Sequence, residues 1–172
     1  MLQHLIVTVV TEDKPGVVEA LASTVSDSGG NWLESHLAQL SGKFAGVIHV
    51  AVPEEDSATL EERLSGLSAQ NIDVTIDRSA VAGHATGGEL ATFSALGPDR
   101  PGIVREISQA FAQRGINLEE LVTEISSTPY SGDPLFKAHG EVRLPDGLDL
   151  ADLHETLDEI ADNLAMDISL QH

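Results

Sequence analysis

The sequence predicts an α+β protein made of two copies of one β-α-β-β-α-β unit. Three observations carry that expectation. The 172-residue chain repeats itself at an offset of 86 positions, half its length. Each half alternates β-branched runs with stretches whose apolar residues fall at helical spacing. Between the halves lies a run of small residues with neither period, Ser79 to Gly88, three of them glycines.

At that offset Asp13-Lys14-Pro15-Gly16 falls on Asp99-Arg100-Pro101-Gly102. Further on, Gly29, Asn31 and Glu34 fall on Gly115, Asn117 and Glu120. Seven of the 22 pairs from 13 to 34 are identical, and Leu21/Ile107 and Val25/Phe111 keep their apolar character. Repetition at a fixed period marks one structural unit used twice. We therefore divide the chain into 1–78, a connection 79–88, and 89–172.

The elements follow in order. The β-branched run 3–11 and its counterpart 90–96 predict first strands. Pro15 and Pro101 suit a first helical position, where the missing N–H costs nothing. Val17, Val18, Leu21 and Val25, and their counterparts Ile103, Val104, Ile107 and Phe111, form helical stripes that Gly29 and Gly115 stop. Second strands are expected at 31–41 and 117–127. In the first, Trp32, Glu34 and His36 are expected on one face and Leu33, Ser35 and Leu37 on the other. Third strands are expected at 44–52 and 136–144. Ser41-Gly42-Lys43 can make a tight hairpin before the first of them. The second copy carries six more residues in that loop, so its offset grows from 86 to 92. Helices at 57–70 and 149–163 and strands at 72–77 and 165–170 complete the copies. This is the split βαβ, ferredoxin-like order: a four-stranded antiparallel sheet with both helices on one face.

Charge and composition exclude several functions. The chain has 9 basic and 28 acidic residues, a formal net charge of −19. Both halves share the excess, so neither offers a basic face for phosphates, and direct nucleic-acid binding is not expected. A polybasic membrane anchor is not expected either. The chain has no cysteine, which removes disulfide and thiolate chemistry and fits a reducing compartment. The first residues read as a strand, not a signal sequence, and no apolar run approaches the ~20 residues of a membrane span. A cytoplasmic location is the expectation.

A βαββαβ unit with Asp-Lys-Pro-Gly or Asp-Arg-Pro-Gly after its first strand, then Gly-x-Asn before its second, resembles the ACT domain. The resemblance covers nearly the whole chain, twice. It implies a small regulatory module that binds an amino acid and controls a metabolic enzyme or transcription. A free-standing tandem pair is most similar to regulators that act on a DNA-binding activator and make no DNA contacts of their own. Glycine is the first ligand this suggests.

The residues give that expectation a chemistry. A helix N-terminus supplies free N–H groups and partial positive charge for a carboxylate. Gly16 and Gly102 permit close approach. Asp13 and Asp99 offer a negative group to an ammonium, and Asn31 and Asn117 offer both donor and acceptor. The candidate ligand site is thus Asp13, Lys14, Pro15, Gly16 and Asn31, and again Asp99, Arg100, Pro101, Gly102 and Asn117. Each motif also has a plain structural reading. Asp-x-Pro-Gly makes a turn without any ligand, and the asparagines can serve a strand entry.

Other chemistry is not indicated. The seven histidines, His4, His36, His49, His84, His139, His154 and His172, have no metal-ligand spacing, and no metal or cofactor is expected. His49 and His139 are expected to face a sheet surface. Gly87-Gly88 lacks the Lys-Ser/Thr of a phosphate loop, and no Gly-x-Ser-x-Gly elbow or nucleophile–base pair is present. Glu54-Glu55-Asp56 reads as a solvated loop and Trp32 as a packing residue. The expected protein is a non-catalytic regulator with a protein partner; its exposed sheet faces and strand edges suit side-by-side pairing, either between the two halves or between chains, and a homodimer is the expectation. The alternative is a ligand-independent adaptor whose acidic surface docks a basic partner.

Overall fold

The computed structural model describes residues 1–79 and 87–172. The chain forms two compact units, divided at His84/Ala85. The expected connection 79–88 falls mostly on 80–86, with His84, outside the described residues. Of its ends, Ser79 belongs to the last strand of the first unit and Gly88 directly precedes the first strand of the second.

The first unit runs β1 (Leu2–Glu12), α1 (Val17–Asp27), β2 (Asn31–Leu40), β3 (Lys43–Pro53), α2 (Glu54–Ser65) and β4 (Ile72–Ser79), with a 3-10 turn Gly66–Gln70 before β4. The second runs β5 (Glu89–Pro98), α3 (Ile103–Ala112), β6 (Asn117–Ser127), β7 (Pro134–Leu144), α4 (Leu150–Leu164) and β8 (Asp167–Gln171). The sheets have equivalent orders, β2-β3-β1-β4 and β6-β7-β5-β8, with every pairing antiparallel. Register confirms the offsets: Val7 faces Ile48 as Phe93 faces Gly140, and Asn31 faces Ala51 as Asn117 faces Arg143.

Each core lies between the helices and one sheet face. Leu5, Val7 and Val9 on β1 and Ile48, Val50 and Val52 on β3 pack with Val17, Leu21, Val25, Leu60 and Leu64 from the helices. In the second unit Phe93 meets Phe111 edge-on, ring centroids 5.4 Å apart, inside a cluster that includes Ile103, Ile107, Leu153 and Leu157. The alternation of buried and exposed residues along β1 and β5 leaves the other sheet face open.

Four local expectations need correction. Pro15 and Pro101 are not first helical residues. Gly16 and Gly102 take left-handed conformations, φ +91° and +97°, and the helices begin after them, so each proline sits in the preceding turn. Glu54-Glu55-Asp56 is the first turn of α2, not a loop; acidic side chains there complement the helix dipole. Helical structure ends in the 3-10 turn, with Asn71 left-handed at φ +60°. The faces of β2 are also not as expected. A bulge between Trp32 and Glu34 makes Leu33 an extra residue. Trp32 therefore shares the helix-side face with Ser35 and Leu37, opposite Val50, Ile48 and Gly46, while Glu34 and His36 face the open side. The second unit has the same irregularity between Leu118 and Glu120.

Ser41 and Gly42 both have positive φ, +49° and +82°, the conformation of a two-residue hairpin turn. The six extra residues of the second unit close on themselves. Thr128 N–H donates to Asp133 O at 3.0 Å and Gly132 N–H to Thr128 O at 3.1 Å.

Candidate functional site

The two helix entrances are built alike. The turn is tied to the following hairpin through the Asp13 N–H to Gly42 O, 2.9 Å, and the Asp99 N–H to Pro134 O, 3.0 Å. The left-handed glycine then starts the helix, and no side chain caps the N–H groups of the first turn in either unit. Such a terminus presents unpartnered donors and partial positive charge. Asp13, Lys14, Pro15 and Gly16 are exposed, as are Asp99, Arg100 and Pro101; Gly102 is half-buried.

In the first unit the entrance opens on a depression of about 270 Å³ lined by Asp13, Lys14, Gly16, Val17, Val18, Glu19 and Phe44. The position corresponding to Glu19 is Arg105; each first turn carries one acid, Glu19 or Glu106, and the second unit's adds a base. Beside the α3 entrance, Phe93, Val104, Ile107, Leu118, Leu121 and Phe136 line an apolar crevice.

The basic residue of each motif is engaged with the backbone. Lys14 Nζ donates to Gln70 O at 2.6 Å, and Arg100 donates to Asn163 O at 2.8 Å. Both carbonyls lie near the end of the unit's second helical segment, where a cation complements the negative end of the dipole.

The asparagines are placed elsewhere. Asn31 faces Ala51, while the loop end of the sheet is where Glu12 and Leu40 both face Lys43. Eight residues of β3 separate those rungs, about 26 Å at ~3.3 Å per residue. Asn117, facing Arg143, lies at the corresponding end of the second sheet. The structure thus gathers Asp13, Lys14 and Gly16 but does not bring Asn31 to them, and the same holds for Asp99 to Gly102 and Asn117. A clamp made of one unit's loop and that unit's own asparagine is not formed. The reason is topological: α1 runs back along the sheet, so its exit lies opposite its entrance. Phe44, which floors the entrance, was legible as the start of the third strand but not as part of a site.

Trp32 is half-buried against the core, its indole N–H donating to Ser35 Oγ at 3.2 Å. Among the described residues no three His, Asp or Glu side chains are placed to hold a metal ion, and no helix is long and apolar enough to cross a membrane.

Both units are α+β and share one element order, each with an Asp-basic-Pro-Gly turn that enters its first helix through a left-handed glycine. The chain belongs to the ACT domain family, whose profile matches residues 3–78 and again 91–162. Among solved structures it is similar to a protein of unknown identity from Galdieria sulphuraria. The TM-score is 0.88 at 24% identity, over 99% of this chain and 98% of that one. It is also similar to a protein proposed to be a glycine cleavage system transcriptional repressor, with TM-score 0.71 and 24% identity over 99% of this chain and 97% of that one. At that identity both share the fold. No curated protein matches the sequence.

Proposed function

We propose that this chain is a non-catalytic sensor of a small amino acid that controls a protein partner, a regulator of transcription in amino-acid metabolism. One observation carries the reading. Both units keep an uncapped helix N-terminus beside an aspartate, entered through a left-handed glycine. The helix end suits the carboxylate of the ligand and the aspartate its ammonium. Glycine is the first ligand to test, because the structure of a proposed glycine cleavage repressor shares the fold over the whole chain.

Because Asn31 lies at the far end of its own sheet, it would join such a site only from a second sheet, that of the other unit or of a second molecule. Antiparallel pairing of two β2 edges sets the start of one strand beside the end of the other. A homodimer of this kind would bring the partner subunit's Asn31 towards the entrance loop. Binding would then favour the paired state, and a ligand can shift an equilibrium only through such differential affinity.

A ligand-independent acidic adaptor remains the second reading. Its support is that Lys14 and Arg100 are both engaged with carbonyls, which gives the motif a structural use in each unit. Titrating the full chain with each of the twenty amino acids by calorimetry separates the two. The sensor reading expects saturable heat with glycine or another small amino acid. No heat with any of them leaves the adaptor.

A further inference from the structure

The open faces of the two sheets differ. On the first, β1 presents Ile6, Thr8 and Val10 and β3 presents Ala45, Val47 and Ala51, side by side down the middle of the sheet. Val10 and Val47 are 47% and 42% exposed. At one end of this stripe His4 Nδ1 and His49 Nε2 hydrogen-bond each other at 2.8 Å. On the second sheet, of the same order and register, Lys137, Glu141 and Arg143 stand where the first has Ala45, His49 and Ala51, and Thr92 stands in place of Ile6. The fold therefore does not need an apolar stripe there. Acids flank it on both sides. Asp73 and Asp77 on β4 stand opposite Val10 and Ile6, and Glu34 on β2 stands opposite His49. Among the described residues no basic side chain pairs with Asp73 or Asp77. Arg78, next along β4, faces the helix side opposite Leu5 and donates to Glu61.

We propose that this face docks an amphipathic helix of the protein partner, one whose apolar side chains are flanked on both sides by Lys or Arg. The proposal rests on the reading above for the existence of a partner and gives that partner a chemistry. The dimensions fit. The acids stand on the outer strands, three strand spacings apart, about 14 Å at ~4.8 Å each. A helix with its side chains is about 10–12 Å across and lies between them. The stripe from His4 to Val10 is about 20 Å long, the length of roughly 13 helical residues. Lys and Arg stems run along apolar surface and carry their charge outward, here to Asp73 and Asp77 on one side and Glu34 on the other. The helix would give the sheet a second layer on the face that its own helices leave uncovered. Charge selects this occupant over the others. A second copy would set the same acids against themselves, and an anionic lipid surface would meet the same repulsion.

The test is calorimetric titration of the full chain with a synthetic peptide of Leu, Lys and Ala. About 18 residues let it hold a helix in isolation; its leucines form one stripe and its lysines flank them. Salt of about 0.15 M screens the general attraction of a cationic peptide to an acidic protein. The expected result is saturable binding of one peptide per chain, with a scrambled peptide of the same composition binding at least about tenfold more weakly because its leucines form no stripe. Val47→Lys and Val10→Lys place an unpaired charge under the helix and should each weaken binding about tenfold or more. His139→Lys adds the same charge at the position of the second sheet that corresponds to Val47 and should leave binding unchanged. Asp73→Asn/Asp77→Asn should weaken it and flatten its salt dependence. Circular dichroism establishes that each variant is folded. Absence of binding, equal binding of the scrambled peptide, or unchanged binding by folded Val47→Lys and Val10→Lys overturns the proposal. Self-association of the wild-type chain that Val47→Lys abolishes would assign the face to a second copy and overturn it too. No amino acid is present in this titration, so its failure is distinct from failure of the sensor reading.

Discussion

Phe93 faces Gly140 across the β5–β7 ladder, where the first unit pairs Val7 with Ile48. One position has gained an aromatic ring and its neighbour has lost its whole side chain. The edge strand has closed into the space. A Cβ built on Gly140 would lie 2.0 Å from Glu120 O and 3.0 Å from Phe93 Cε1. The first unit has its closest approach two residues away, where a Cβ on Gly46 would lie 1.9 Å from His36 O. Its counterpart is Ala138. The two copies keep one topology with different core packing.

Gly140→Val is therefore expected to destabilise the second unit at the upper end of the ~1–3 kcal/mol typical of overpacking. Adding Phe93→Val should restore only part of the loss, since the Glu120 carbonyl contact remains. Denaturant midpoints measure both. Full restoration by the double substitution would mean the ring, not the edge-strand backbone, sets the limit.

Gly16→Ala tests the entrance without crowding it. Nothing lies within 4 Å of a Cβ there, yet φ is +91°. The cost should be purely conformational, about 1–2 kcal/mol. Gly102→Ala, at φ +97° with Glu106 Oε1 as its nearest neighbour at 3.9 Å, should cost about the same. Equal shifts in denaturation midpoint are expected. A cost near zero would mean the turn relaxes to another conformation.

The repeat made most of the fold legible. The Asp-basic-Pro-Gly run and the Gly-x-Asn that follows aligned the copies, and the shift of offset across residues 126–134 located the longer loop. Three features were not legible, each for a physical reason. The β2 bulge inserts Leu33, which reverses the face of every later residue relative to Trp32, and strict alternation cannot reveal an extra residue. The separation of Asn31 from Asp13 follows from helix direction and sheet order, which proximity in sequence conceals. The bonds from Lys14 to Gln70 and Arg100 to Asn163 join positions more than fifty residues apart and have no local signature.

Salt should stabilise this protein. A formal charge of −19 on an 18.2 kDa chain repels itself in the compact state. Arg143 and Glu119 are only 23% and 30% exposed, but the pairs made by Lys43, Arg78, Arg114 and Lys137 each keep a well-exposed partner; the Lys43 and Glu12 side chains, for example, are 55% and 67% exposed. Such pairs contribute little, so screening should relieve more repulsion than it removes attraction. Thermal unfolding midpoints should rise as the Debye length falls from about 30 Å in dilute salt to about 3 Å at 1 M. A falling midpoint would show that the ion pairs outweigh the repulsion.

Glu61 supplies an acid-side dependence in the first unit. Arg78 Nε donates to its Oε1 at 2.9 Å and Ser57 Oγ at 3.1 Å. The Arg78 hydrogen bond is the main cause holding this carboxyl below its ordinary value, with the Ser57 bond adding to it against a smaller opposing effect of burial than that of Arg78. The folded-state value lies below the unfolded one. The contribution is therefore complete above the ordinary glutamate range, about pH 4.3, and is lost as pH falls through the lower folded value. Glu61→Gln should flatten the acid limb of stability against pH while leaving its shape above pH ~6 unchanged. An unchanged acid limb would mean the Arg78 pair contributes nothing there.

The most direct test of the sensor reading is glycine binding by wild type, Asp13→Ala, Asp99→Ala and the double variant, measured by calorimetry at fixed salt. The account predicts saturable binding by wild type, weakened by at least one single substitution and lost in the double variant with its fold intact. Unchanged binding in the folded double variant would place the site away from both helix entrances and contradict the account.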